Sequence, residues 1–130
     1  MIATLELPDN AAAIEAALEG LVNVDMLLIE TGTVPPYPHH AGVIYQLEPI
    51  GEEDWKLAHN VIRDGWGDCE DLAAWVVAGL RVTGEDPGAF VALVQTGEAK
   101  LHAVVRRSDG SIDDPSADLR PKKVKANGMR

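Results

Sequence analysis

The apolar positions of this chain change period partway along it. From Ala11 to Glu30 they recur at Ile14, Leu18, Leu21, Val22, Met26 and Ile29, in three- and four-residue steps. That is a helical period, and it predicts one long helix or two with a bend near Gly20. Pro8-Asp9-Asn10 offers a cap before it, and Thr4 to Leu7 reads as a short strand. The run from Thr31 to His40 holds Pro35, Pro36 and Pro38 and so predicts a loop. Gly42 to Leu47 reads as extended, and Glu52 to Val61 as a short helix. From Asp68 the helical period returns with Leu72, Trp75, Val76, Gly79 and Leu80, and Gly84 followed by Pro87 supplies a stop.

After Pro87 the period shortens. Phe90 to Gln95 and Leu101 to Arg107 are apolar runs of strand length. Ser108-Asp109-Gly110 is a hairpin turn, and Ser111 to Asp114 returns before Pro115. Helices first and an antiparallel sheet afterwards predict an α+β domain. The expected organisation is a single domain over 1–119, with a helical part at 9–31 and a core at 33–119, and a tail at 120–130. No internal repeat or low-complexity tract interrupts it.

Charge separates the tail from the body. The chain carries 11 basic and 21 acidic residues, a net charge of −10. Arg120, Lys122, Lys123, Lys125 and Arg130 all lie in the tail, which has no acid. The acidic body argues against nucleic acid as the main partner. The tail is expected to be a solvated end with a capacity for self-association through acidic surface. The first residues lack a basic segment and a long apolar segment, so no signal peptide is expected. No apolar run approaches a membrane span. These features predict a cytoplasmic protein with no membrane partner.

The single cysteine excludes an intrachain disulfide and a cysteine-rich zinc site. It lies in Gly65-Trp66-Gly67-Asp68-Cys69-Glu70-Asp71, where a helix starts. Asp68 is a good N-cap, and Asp71 three residues on fits the acidic partner of a capping box. Cys69 is then the first helical residue, beside unpaired amides and the positive end of the helix dipole. Both favour a thiolate, and the amides can hold an oxyanion. The flanking carboxylates oppose this if they point at the sulfur.

A nucleophile needs a base. His39 and His40 sit in the proline-rich loop, and His59 lies in a polar helix. His102 interrupts a strand of Leu, Ala and Val. A three-residue turn with Gly110 in the left-handed conformation pairs Arg107 with Ser111. Val104 then faces Asp114, His102 faces Ser116, and Asp114 is a diagonal neighbour of His102 on the same face. A two-residue turn would present Asp113 instead. The three-residue turn favours Asp114. Cys, His and Asp in this arrangement follow the logic of an activated nucleophile.

These residues resemble a known family. Gly67 to Ala73, His102 on a Val-rich strand, and Asp114-Pro115 after a hairpin are similar to the transglutaminase-like superfamily of cysteine proteases and acyltransferases. Pro35-Pro36-Tyr37, Gly42 to Tyr45, Glu48-Pro49 and Val104 to Ser116 look like features of its small phage-encoded members. The resemblance spans roughly 33–119. It implies a papain-like core, in which a nucleophile helix packs on an antiparallel sheet, and a catalytic triad of Cys69, His102 and Asp114. It also implies a location in the host cytoplasm or the virion. An upstream side chain usually completes the family's oxyanion hole, and Tyr45 is the candidate, with Gln46 and Trp66 behind it.

The expected function is a cysteine hydrolase acting on peptide or protein substrates through an acyl-enzyme, with no cofactor. Alternatives are acyl transfer to an amine at the same site, or a non-enzymatic assembly module that keeps the fold. A fourth reading draws metal ligands from His39, His40 and the acids of 109–114, but no complete set has metal spacing.

Overall fold

A computed structural model describes residues 11–47, 54–97 and 100–121. The expected strand at Thr4–Leu7 and the tail beyond residue 121 lie outside the described residues. Helix α1 runs unbroken over Ala11–Glu30. Gly20 does not divide it and faces open space. A 3-10 turn at Pro38–His40 leads into strand β1, Ile44–Tyr45. Helix α2 (Ala58–Asp64), strand β2 (Trp66–Gly67) and helix α3 (Cys69–Thr83) follow. Strands β3 (Phe90–Gly97), β4 (Lys100–Arg106) and β5 (Ile112–Asp113) and the short helix α4 (Pro115–Asp118) complete the described chain.

The class is α+β. Strands β3, β4 and β5 form an antiparallel sheet in that order, and β1 and β2 form a separate parallel pair. The parallel pair was not expected. Its strands are two residues each, too short to leave a periodic signal.

Helix α3 is buried on every side from Asp71 to Leu80. Its apolar residues join α1, through Leu18, Val22 and Ile29, and the sheet, through Val91, Leu93, Ala103 and Val105, in one core. The proline-rich loop lies directly on α3. The Trp75 indole donates to the Pro35 carbonyl at 2.9 Å. Gly79 lets the loop approach, since a Cβ there would overlap the Pro36 carbonyl oxygen. Two further contacts tie α1 to the rest. Arg81 forms an ion pair with Glu19 while donating to Ala89 O at 3.0 and 2.9 Å. Glu15 accepts the Leu93 amide at 3.1 Å and so covers part of the β3 edge.

The helix expected from Glu52 to Val61 is displaced. Helix α2 starts at Ala58, after an extended Leu57, and ends at Gly65 in the left-handed conformation. Two carboxylates from other helices account for this. Asp71 of α3 accepts the Lys56 amide at 2.7 Å, and Asp25 of α1 accepts the Ala58 amide at 2.8 Å. Asp25 thus serves α2 in place of a local cap. It is fully buried, and its Oδ2 has no hydrogen-bond partner among the described residues.

Burial pushes the Asp25 carboxyl up to about 7, with the Ala58 amide opposing and nearby Asp71 adding. Burial likewise raises Asp71 to about 6. A carboxyl whose folded value is raised binds its proton more tightly when folded. Stability therefore falls as pH rises from about 4 to 7 through these two groups. The lowered carboxyls, Glu19, Asp64, Asp86, Asp109 and Asp114, act oppositely and below about pH 4.

Two outcomes are expected in urea unfolding. Asp25→Asn should gain on the native protein as pH rises from 4 to 7, because it keeps the acceptor for Ala58 and removes the titration. A gap between the two that stays constant with pH would contradict this. Gly79→Ala should cost about 1–3 kcal/mol, the usual range for forcing atoms into a packed contact.

Candidate active site

The N-terminus of α3 is built as the sequence suggests. Asp68 is extended and caps the helix, accepting the Asp71 amide at 3.0 Å, and Asp71 accepts the Asp68 amide at 3.1 Å. Both carboxylates are thereby turned onto backbone. Cys69 and Glu70 occupy the first two helical positions, whose amides have no intrahelical acceptor. The Cys69 sulfur lies near the Ala103 amide of β4, which favours its anion. That proximity places the thiol beside the strand position next to His102.

The hairpin register is the one expected from a three-residue turn. Val105 pairs with Asp113 and Arg106 with Ile112. Arg107 N donates to Ser111 O at 2.8 Å, and Gly110, at φ 91°, donates to Arg107 O at 2.9 Å. Asp114 and His102 are consequently close. His102 Nε2 and Asp114 Oδ2 are 3.0 Å apart. The adjacent Asp113 is engaged elsewhere, accepting from Arg107 Nε at 2.6 Å.

Ser116 completes this pair. Its hydroxyl donates to Asp114 Oδ1 at 2.6 Å and lies 3.4 Å from His102 Nε2. Burial raises the Asp114 carboxyl, but Ser116 and His102 outweigh it and hold the group below its usual range. An ionised Asp114 on Nε2 leaves Nδ1 as the ring nitrogen available to a thiol. Ser116 was missed as a site residue, although the register that placed it opposite His102 was a sufficient signal.

The upstream candidates separate. Tyr45 is half-buried at the site, and burial raises its phenol. The charges of Cys69, Asp68 and Asp114 add to that, while Arg120 opposes it. Arg120 lies 6.0 Å from the centre of the Tyr45 ring. Gln46 is the next residue along β1, exposed, and alternation turns its side chain to the opposite face from Tyr45. Trp66 is covered by Lys56, whose ammonium sits 3.1 Å from the ring centre. The same ammonium contacts the Trp66 carbonyl at 3.2 Å and Asp64 at 3.0 Å.

Glu70 differs from its acidic neighbours. Its Oε1 accepts from the Cys69 thiol at 2.8 Å, and its Oε2 accepts from the Trp55 indole at 3.3 Å. Burial is the largest influence on Cys69, and the Glu70 charge and hydrogen bond add to it. Together they push the thiol well above its ordinary value, against the Ala103 amide. The helix terminus does not prevail in this state, because one flanking carboxylate does point at the sulfur.

The metal alternative finds no support in side-chain grouping. Among the described residues no three His, Cys, Asp or Glu side chains gather as a metal site. His39 pairs with Asp118 at 3.3 Å, and Asp109 accepts from Ser111 within its own turn. No helix among the described residues is long and apolar enough to cross a membrane. A cavity of about 230 Å³ bounded by Tyr37, His39, Leu80, Glu85 and Arg107 has none of Cys69, His102 or Asp114 in its wall.

Compared with protein-family models, curated proteins and solved structures, the chain matches none.

The raised thiol gives a direct expectation. Cys69 should react with iodoacetamide at pH 7 at least about tenfold more slowly than free cysteine, whose pKa is about 8.5. The rate should climb at higher pH than for the free amino acid. A rate equal to that of free cysteine at pH 7 would show that Glu70 and burial do not govern the sulfur.

Proposed function

We propose that this protein is a cysteine hydrolase of the transglutaminase-like kind, with a papain-like core and a triad of Cys69, His102 and Asp114. The observation that carries the proposal is the His102–Asp114 pair, 3.0 Å long, with His102 on β4 next to Ala103, whose amide lies near the Cys69 sulfur. The capped start of α3 supports it by leaving the first amides of the helix beside that sulfur.

The chemistry follows from these positions. His102 Nδ1 takes the thiol proton, and the thiolate attacks a peptide or amide carbonyl carbon. The carbonyl π electrons move to oxygen, and the Cys69 amide, with the Tyr45 hydroxyl, receives the oxyanion. Collapse breaks the C–N bond, and the imidazolium gives its proton to the departing amine. His102 then takes a proton from water, which attacks the thioester and releases a carboxylic acid and the thiol. Asp114 fixes the imidazole tautomer and balances its positive charge throughout. Peptide or protein is the substrate class, with no cofactor required by these steps. An acidic body keeps nucleic acid outside this proposal.

A second possibility is a non-catalytic module that retains the fold. The observation favouring it is the Cys69–Glu70 contact, which holds the thiol protonated in the free protein.

The test is incubation with a peptide library, with and without a primary amine, read by mass spectrometry. Hydrolysed peptides are expected with the native protein, and none with Cys69→Ala. Amine-adducted products would assign acyl transfer instead. Turnover surviving in Cys69→Ala would overturn the proposal. Asp114→Asn should lower kcat by about 10²–10⁴, the scale on which a misoriented catalytic histidine acts. Asp113→Asn, which only frees Arg107, should change kcat by less than about threefold, within the effect of a solvent-screened ion pair. Equal losses would assign the orienting role to neither carboxylate alone.

A further inference from the structure

Glu70 is the one carboxylate at the start of α3 that is spent on neither backbone nor a basic side chain. Asp68 and Asp71 are consumed by the capping box, and Asp71 also holds the Lys56 amide. Asp64 is held by Lys56 and Arg63, Asp113 by Arg107, and Asp114 by His102 and Ser116. Among the described residues Glu70 accepts from the thiol and an indole N–H, both neutral donors.

Trp55 matters as much as the carboxylate. It stands at the surface, 37% exposed, although it is a large apolar side chain. The residue after it is fixed by the Lys56 amide on buried Asp71. An exposed aromatic ring against an otherwise uncommitted carboxylate is the chemistry that holds a cation carried on an alkyl chain. The ring face attracts the charge and covers the methylenes, and the carboxylate neutralises it.

We propose that Glu70 and Trp55 form a cation subsite beside the nucleophile, which receives the ammonium or guanidinium of a substrate and frees the thiol in doing so. This rests on the hydrolase proposal for the identity of the substrate, but not for the existence of the subsite. When a cation engages Glu70, the thiol loses its acceptor. Its proton passes to His102 Nδ1, leaving a thiolate and an imidazolium balanced by Asp114. Among the described residues the groups that act on the sulfur are Asp68 and Glu70 of α3, Tyr45 of β1 and the Ala103 amide of β4, and His102, held by Asp114, precedes Ala103 on that strand. Of these only Glu70 is positioned to exchange the thiol for an incoming charge. The substrate class is a peptide or amide with a Lys or Arg side chain, or another alkylammonium, next to the scissile carbonyl.

The test uses charged thiol reagents, because Cys69 is the only cysteine in the chain. The full protein is treated with a trimethylammonium-ethyl methanethiosulfonate and with its sulfonate-ethyl counterpart, each rate referenced to free cysteine. The native protein should favour the cationic reagent by more than about tenfold, and Glu70→Gln should lower that preference about tenfold, as expected for one nearby, partly screened charge. Glu70→Ala serves the same purpose should the Gln variant fold poorly. Asp109→Asn, an acid at the hairpin tip, should leave the preference unchanged. A preference that survives both Glu70 substitutions overturns the subsite.

Peptide assays separate this outcome from that of the hydrolase proposal. Turnover confined to peptides with Lys or Arg beside the bond, and levelled in Glu70→Gln, supports a side-chain cation. Amine-stimulated turnover of neutral peptides, with the amine in the product, supports an acceptor amine in the same place. Charge-selective labelling without any turnover keeps the subsite and overturns hydrolysis. Turnover without charge selection does the reverse.

Discussion

Burial of α3 on all sides is the constraint on which the other features depend. A helix enclosed from Asp71 to Leu80 exposes neither its surface nor the Asp71 amide to water. Its apolar residues must be met from every direction, and α1, the sheet and the proline-rich loop each cover one side. Its N-terminus must be satisfied by protein groups, which is the work of Asp68 and Asp71. An uncapped amide in such a place costs about as much as a lost hydrogen bond. The capping box therefore stabilises the helix and, in the same geometry, fixes where Cys69 begins.

The buried carboxylates extend this arrangement beyond the helix. Asp71 reaches out to Lys56, and Asp25 reaches across from α1 to Ala58. The segment between them is held by its own amides on two side chains from different helices. That positions Trp55 at the rim of the site and sets where α2 can start. Both acids are raised by desolvation, so the hold on the segment beside Cys69 weakens as pH rises between about 4 and 7.

Opposing influences meet at the sulfur. The helix terminus and the Ala103 amide favour an anion, while burial and Glu70 favour the neutral thiol and prevail. On the other side of the site, His102 is oriented by Asp114 and Ser116. The imidazole is thus oriented while the thiol beside Glu70 is held neutral.

Much of this was determined by sequence alone. Period marked α1, because a long helix with one partner face repeats its apolar residues many times, and α3 was marked by its cap, its apolar residues and the Gly84 stop. The capping box was legible because its two acids lie three residues apart. The choice of Asp114 over Asp113 followed from Ser108-Asp109-Gly110, since a turn's length sets the register of its hairpin. Tertiary structure decided what no local spacing encodes. It brought Asp25 and Asp71 onto Lys56 and Ala58, moved the start of α2, paired β1 with β2, and laid Lys56 over Trp66. It also decided which flank of Cys69 faces the thiol. Asp68, Glu70 and Asp71 are equivalent carboxylates in the sequence. Two of them accept from backbone amides, and the third, at the second position of the helix, accepts from the sulfur and from the Trp55 indole.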